Sequence, residues 1–125
     1  MPYEVGLSQA VRACHIMPGL EGPEGQLHDH DYRIDVVVSR ERLDDRGMVC
    51  DLDALDVAMT ELRRRIAGRN LQEICPADAP SVTVEVLARW VHDTLSPAAA
   101  TAGGGTLAVR VFETPSAFGG YSAPC

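Results

Sequence analysis

Between Gln26 and Val38 the chain reads QLHDHDYRIDVVV. His28, His30, Tyr32, Ile34 and Val36 alternate with Asp29, Asp31, Arg33 and Asp35. A period of two belongs to a strand, whose side chains point in turn to opposite faces. The segment therefore predicts a strand with one charged face and one face that a core can cover. It also sets His28 and His30 side by side. An H-x-H pair on a strand offers two imidazoles to one ion. A catalytic zinc takes three protein ligands and keeps a fourth position for water or substrate. His15, in A-C-H on the expected neighbouring strand, is the natural third donor. By itself H-x-H is common, and ordinary histidines are the commoner reading of it. His92, in RWVHDTL, is expected to face solvent.

The rest of the chain supplies partners for that strand. Val5, Leu7, Ala10 and Val11 predict a first strand over Tyr3 to Met17. Gly19, Gly22, Pro23 and Gly25 mark a loop. Arg40 to Gly47 is a polar turn, and Met48 to Cys50 is expected to be short and extended. Asp51 or Asp53 can cap a helix whose apolar face is Leu52, Leu55, Met59, Leu62 and Ile66, ending at Gly68. Asn70 to Pro80 reads as irregular. Thr83 can cap a second helix, with Glu85 in its first turn favoured by the macrodipole. Val84, Leu87, Trp90, Val91 and Leu95 form its stripe, and Pro97 with Gly103–Gly105 is expected to close it. Leu107 to Phe112 alternates as a third strand, and a fourth covers Ala117 to Ser122. The order β-β-α-α-β-β predicts an α+β fold with an antiparallel sheet, as one domain over residues 1–125.

The 125 residues carry a net charge of −7, which argues against nucleic acid as a partner. Arg63-Arg64-Arg65 is the one dense basic run, and on a helix it spreads into solvated surface. No apolar run nears the ~20 residues that span a bilayer, so no membrane is expected. The N-terminus shows no leader pattern, and Cys14, Cys50, Cys75 and Cys125 form no C-x-x-C pair. Reduced thiols in the cytoplasm are expected, with Cys75 and Cys125 exposed. A chain this short gains from oligomerisation.

The pieces A-C-H, H-D-H-D-Y, G-M-V-C-D-L, V-T-V-E-V-L-A and V-F-E-T follow one another in order. From about Val11 to Tyr121 the sequence resembles the 6-pyruvoyl-tetrahydropterin synthase and 6-carboxy-tetrahydropterin synthase family. The resemblance implies the tunnelling fold, with two helices on one face of the sheet. Sheets of several subunits would join into a barrel, and trimers would stack into hexamers. It implies a zinc held by His15, His28 and His30, and a small-molecule substrate, a pterin. Glu113 would anchor the ring, since a carboxylate pairs bidentately with a guanidine-like edge. Thr83 and Glu85, in the segment that matches the family's second helix start, would complete the substrate site.

The chain departs from the family where the chemistry sits. The usual Cys four residues before the H-x-H is Glu24 here. Cys14 is no substitute, because it lies on the opposite strand face from His15. The usual Asp-His pair at the end of the first helix is matched by Ala67 and Gly68. What remains is a zinc centre, a ring anchor and Glu24 as the candidate catalytic group, able to move a proton if burial raises its pKa. One branch of the family carries Glu in place of Cys and cleaves the side chain of dihydroneopterin triphosphate. The expected activity is that of a zinc-dependent carbon–oxygen or carbon–carbon lyase on such a side chain. The alternatives are a member recruited to specialised metabolism, acting on a non-pterin substrate by cyclisation or elimination, and a non-catalytic zinc- and ligand-binding homologue. Asp29 and Asp31 stand where the family has Gly and Asn, and either brace the ligand imidazoles or face outward. Arg12 or Arg69 could meet an anionic group of the substrate.

Overall fold

The computed structural model describes residues 1–75 and 81–125. Its elements are β1 (Tyr3–His15), β2 (His28–Arg40), α1 (Leu52–Ile66), α2 (Val84–Ala102), β3 (Thr106–Thr114) and β4 (Ala117–Pro124). Two single-turn 3₁₀ segments, Pro23–Gly25 and Leu71–Glu73, lie in the connections. The sheet order is β1-β2-β3-β4, every neighbour antiparallel. The architecture is the α+β arrangement of the tunnelling fold.

Alternation decides which sheet face meets the helices. Val11 and Ala13 of β1, Ile34, Val36 and Val38 of β2, and Leu107, Val109 and Val111 of β3 are buried. They pack on Leu55, Met59, Leu62 and Ile66 of α1 and Leu87, Val91 and Leu95 of α2. The opposite face carries Arg12, Asp29, Asp31, Arg33 and Asp35. On the covered face, the row Ala13–His15 and Tyr32–His30–His28 runs off the end of the apolar core, so the histidines sit at its rim.

Helix starts follow the capping residues. Asp51 accepts from the Ala54 amide at 3.2 Å, and Thr83 Oγ1 accepts from the Val86 amide at 3.2 Å. Pro97 does not end α2, which runs on to Ala102. The proline removes one backbone bond. Leu95 and Ala99 are fully buried on either side of it, and the alanines beyond are strong helix formers, so packing outweighs the loss. The helix closes where Gly104, at φ 76°, donates back to the Ala99 carbonyl. Met48–Cys50 bends rather than extending, and the Asp51 amide ties to the Ala102 carbonyl.

Two further expectations are corrected. His92 is 3% exposed, not solvent-facing, because the buried side of α2 is wide enough to include it. Its Nδ1 lies 3.1 Å from Asp93 and its Nε2 3.2 Å from the Ala123 carbonyl, and its ring meets Tyr121 edge-on. Cys75 is buried, and burial pushes its thiol up to about 11. Cys125 is half-buried, with its thiol on the Gly105 carbonyl. Among the described residues no helix is long and apolar enough to cross a membrane.

Candidate metal centre

The register of β1 and β2 builds the centre. His15 lies directly opposite His28, and Ala13 opposite His30. The three imidazoles therefore share one face within one rung of each other. Their ligand nitrogens all lie within 4.8 Å of one another, and His28 Nε2 is 3.1 Å from His30 Nε2. A tetrahedral zinc with bonds of about 2.0–2.1 Å spaces its nitrogens roughly 3.3 Å apart.

The hydrogen bonds behind the rings fix their tautomers. His15 Nδ1 lies 2.9 Å from the Val82 carbonyl, and His28 Nδ1 lies 2.7 Å from the Gln26 carbonyl. A carbonyl only accepts, so Nδ1 carries a proton in both rings, and in the neutral tautomer Nε2 keeps the lone pair a metal needs. His15 is 2% exposed, and its Nε2 is buried without a hydrogen-bond partner among the described residues. A buried lone pair with no donor is costly. Here it points at the space shared with two other imidazole nitrogens, and a cation there would satisfy it. The donor set of three imidazole nitrogens, two of the rings braced from behind by carbonyls, suits zinc. Burial, and next the charge of His15, lowers the His30 pKa against the opposing pull of Glu113. That favours the neutral, ligating form.

Two carboxylates flank the imidazoles. Glu24 Oε2 is 3.5 Å from His28 Nε2, and Glu113 Oε2 is 3.9 Å from His30 Nε2. Glu24 sits on the short turn Pro23–Gly25, whose carbonyl at Glu24 accepts from the Met17 amide at 2.9 Å. Its side chain is 60% exposed, so the structure does not show the burial expected of it. Glu113 is the extra residue of a β-bulge, since Phe112 pairs with Phe118 and Thr114 with Ala117. Bulges commonly re-aim side chains beside functional sites. A cavity of about 520 Å³ opens mainly on the outer face, lined by Arg12, Asp29, Asp31, Arg33 and Phe112, and reaches Glu113 and His30 at its edge. That is within the usual range for small-molecule sites.

Other expected residues fall into place differently. Thr83 caps α2, and Glu85 packs in its first turn beside Gly119. Neither bonds to the histidines among the described residues. Asp29 and Asp31 face outward and pair with Arg12 at 3.2 and 3.0 Å, so they do not brace the ligands and Arg12 is not free for an anion. Arg69 contributes its carbonyl to Cys14. Ala67 and Gly68 line a groove of about 530 Å³ with Arg12, Arg63 and Arg64.

Three residues escape a reading of the sequence. Tyr32, on the same strand face as His28 and His30, sets its ring edge-on to His30 at 5.5 Å. Burial and then Glu113 drive its phenol well above the ordinary range, so it stays protonated. The parity of β2 could have flagged it. Val82 acts through its carbonyl, which no side-chain pattern reveals. Gln72 bonds to the Ile16 backbone through both ends of its carboxamide.

A family model described as 6-pyruvoyl tetrahydropterin synthase matches residues 4–124. No curated protein sequence matches the chain. Among solved structures the chain is similar to 6-pyruvoyl tetrahydropterin synthase of Caenorhabditis elegans, with a TM-score of 0.77 and 21% identity over 98% of this chain and 96% of that one. It is similar to a Plasmodium vivax 6-pyruvoyltetrahydropterin synthase in which a catalytic glutamate is replaced by cysteine, with a TM-score of 0.79 and 12% identity over 100% and 99% of the chains. An uncharacterized protein from Wolinella succinogenes gives a TM-score of 0.72 at 15% identity over 99% and 98%. At such identities the structures speak for the fold. The family model, which spans nearly the whole length, settles the rest: the chain belongs to the 6-pyruvoyl tetrahydropterin synthase family.

Proposed function

We propose that this protein is a zinc-dependent lyase acting on the side chain of a pterin of the dihydroneopterin triphosphate type. The observation that carries the zinc is the buried Nε2 of His15, unpartnered among the described residues and converging with the nitrogens of His28 and His30. Bound zinc would polarise a side-chain hydroxyl or carbonyl and lower its pKa. Glu113, beside His30, holds the ring by accepting from its N–H and amino groups, with Thr83 and Glu85 at the α2 start closing the site. Glu24 accepts the proton of a side-chain hydroxyl as the neighbouring carbon–carbon bond breaks, and returns it to the pterin carbon. Its place beside His28 supports this role. The Plasmodium vivax relative, whose catalytic residue is a glutamate, is a precedent for such a carboxylate.

Assembly is part of the same reading. Strands β1 and β4 are the two sheet edges, and we infer that they join those of further copies into a trimeric barrel, stacked into hexamers. Neighbouring copies would then cover Glu24. The four free thiols suit a cytoplasmic setting.

The test is Glu24→Ala in the zinc-loaded protein, with products of dihydroneopterin triphosphate identified by mass. Turnover should fall by at least about 10²-fold with zinc content unchanged. Full activity in that variant refutes the proton role. A second reading draws on the sequence, in which Ala67 and Gly68 stand in place of the family's Asp-His pair. In it the same zinc site would serve cyclisation or elimination on a non-pterin substrate. Wild-type protein that holds zinc but leaves every pterin unchanged would favour it.

A further inference from the structure

We propose that Gln72 is a positioning residue for the metal centre: its side chain acts as a surrogate strand rung that holds the Ile16 peptide, and with it His15. The inference rests on the zinc reading above.

Strand β1 pairs with β2 along one edge. At the end near His15 its other edge meets the segment that follows α1. Along such an edge, rungs come at every second residue. Gly68 donates to the Arg12 carbonyl at 2.7 Å. Cys14 donates to the Arg69 carbonyl at 3.0 Å and bridges Asn70 in parallel. The next rung falls at Ile16. There the main chain turns away into Leu71–Glu73, because the Asn70 side chain accepts from the Gln72 amide at 3.1 Å and starts a 3₁₀ turn. Among the described residues no backbone continues the ladder. The Gln72 carboxamide takes its place: Oε1 accepts from the Ile16 amide and Nε2 donates to the Ile16 carbonyl, both at 2.9 Å. A primary carboxamide carries the same donor and acceptor as a peptide group, which is why it can stand in for one.

The position of this rung matters. Regular pairing with β2 stops at His15, so the ligand is the last residue of its strand. Strand ends open most easily. The ring is held by the Val82 carbonyl and the preceding backbone by the β-ladder. Gln72 holds the peptide on the remaining side. It also steadies the approach to Met17, whose amide binds the Glu24 carbonyl. Ligand atoms must be kept within about 0.5 Å of their productive positions. Losing a support behind a ligand typically costs roughly 10- to 100-fold in metal affinity.

Side-chain length gives the test its edge. Asparagine is one methylene shorter and cannot reach both groups of Ile16. Glutamate keeps an acceptor for the Ile16 amide but sets a second oxygen against its carbonyl. Zinc affinity by chelator competition, the d–d spectrum of the cobalt-substituted protein, and the denaturant stability of the zinc-free protein are compared for wild type, Gln72→Leu, Gln72→Asn and Gln72→Glu. The expected result is zinc binding weakened roughly 10- to 100-fold in the Leu and Asn variants, less in the Glu variant, with a shifted cobalt spectrum. Affinity within about twofold of wild type and an unchanged spectrum, whatever the loss in stability, overturns the inference while leaving the zinc site standing. If wild type itself binds no zinc, the zinc reading falls and this falls with it. Should the variants not fold, hydrogen exchange on wild type decides: the Ile16 amide should be protected and become more so on zinc addition, and an amide indifferent to zinc refutes the role.

Discussion

The two faces of β2 make opposite use of polar residues. On the outer face Asp29, Asp31 and Asp35 are countered by Arg12 and Arg33, in pairs open to water. Every charge there already has its partner. On the inner face His28 and His30 join His15, whose buried Nε2 has none among the described residues. The face richer in charge therefore asks for nothing further, and the face with three imidazoles at the rim of an apolar core does. Unsatisfied burial marks the site better than charge density, because a solvated ion pair contributes little while a buried lone pair without a donor is costly.

The strongest way to break that contrast is to remove the orphaned ring. His15→Ala should abolish stoichiometric zinc binding, raising the dissociation constant by well over the roughly 100-fold that follows loss of a supporting residue. Turnover should vanish with it. Metal analysis after dialysis reads the effect directly. A variant that keeps one tightly held zinc per chain would show that His15 is only a core histidine held by Val82.

This contrast was half legible in the sequence. The alternation of HDHDYRIDV gave both faces of β2, and A-C-H placed the third imidazole on the same side. The apolar periodicity of α1 and the capping Thr83 located both helices. What failed did so for physical reasons. Pro97 breaks a helix by local rules, but the burial of Leu95 and Ala99 overrides them. His92 looked polar and therefore exposed, yet Asp93 and the Ala123 carbonyl satisfy it inside. The supports of His15 were invisible, because the Val82 carbonyl lies 67 residues away and Gln72 lies 56 residues from Ile16. No local pattern encodes such contacts.

Acid should sharpen the difference between the faces by a smaller amount. The His30 pKa is lowered, chiefly by burial, so the folded chain binds a proton there less readily than the unfolded chain. The stability tied to neutral His30 is thus fully present above the ordinary histidine value near 6.5, and is lost as pH falls through the lower folded value. Denaturant titrations of zinc-free protein between about pH 7.5 and 5 should show this decline, and His30→Gln should flatten it. An equal decline in the variant would place the sensitivity elsewhere.

The smallest effect is expected on the outer face, and it closes the comparison. Arg12 holds two carboxylates, Asp29 and Asp31, and its guanidinium pKa is raised by both, Asp31 first. The pair network looks like a clamp on the strands that carry His15 and His30. It is fully solvated, however, and water screens such pairs until little net stabilisation remains. Arg12→Ala should therefore be hard to separate from wild type in a denaturant titration, with zinc affinity within about twofold, because the register of β1 and β2 is set by backbone pairing and by the buried face. A loss of zinc affinity as large as that expected for Gln72→Leu would mean that the charged face also braces the metal centre, and that the two faces of β2 are coupled rather than opposed.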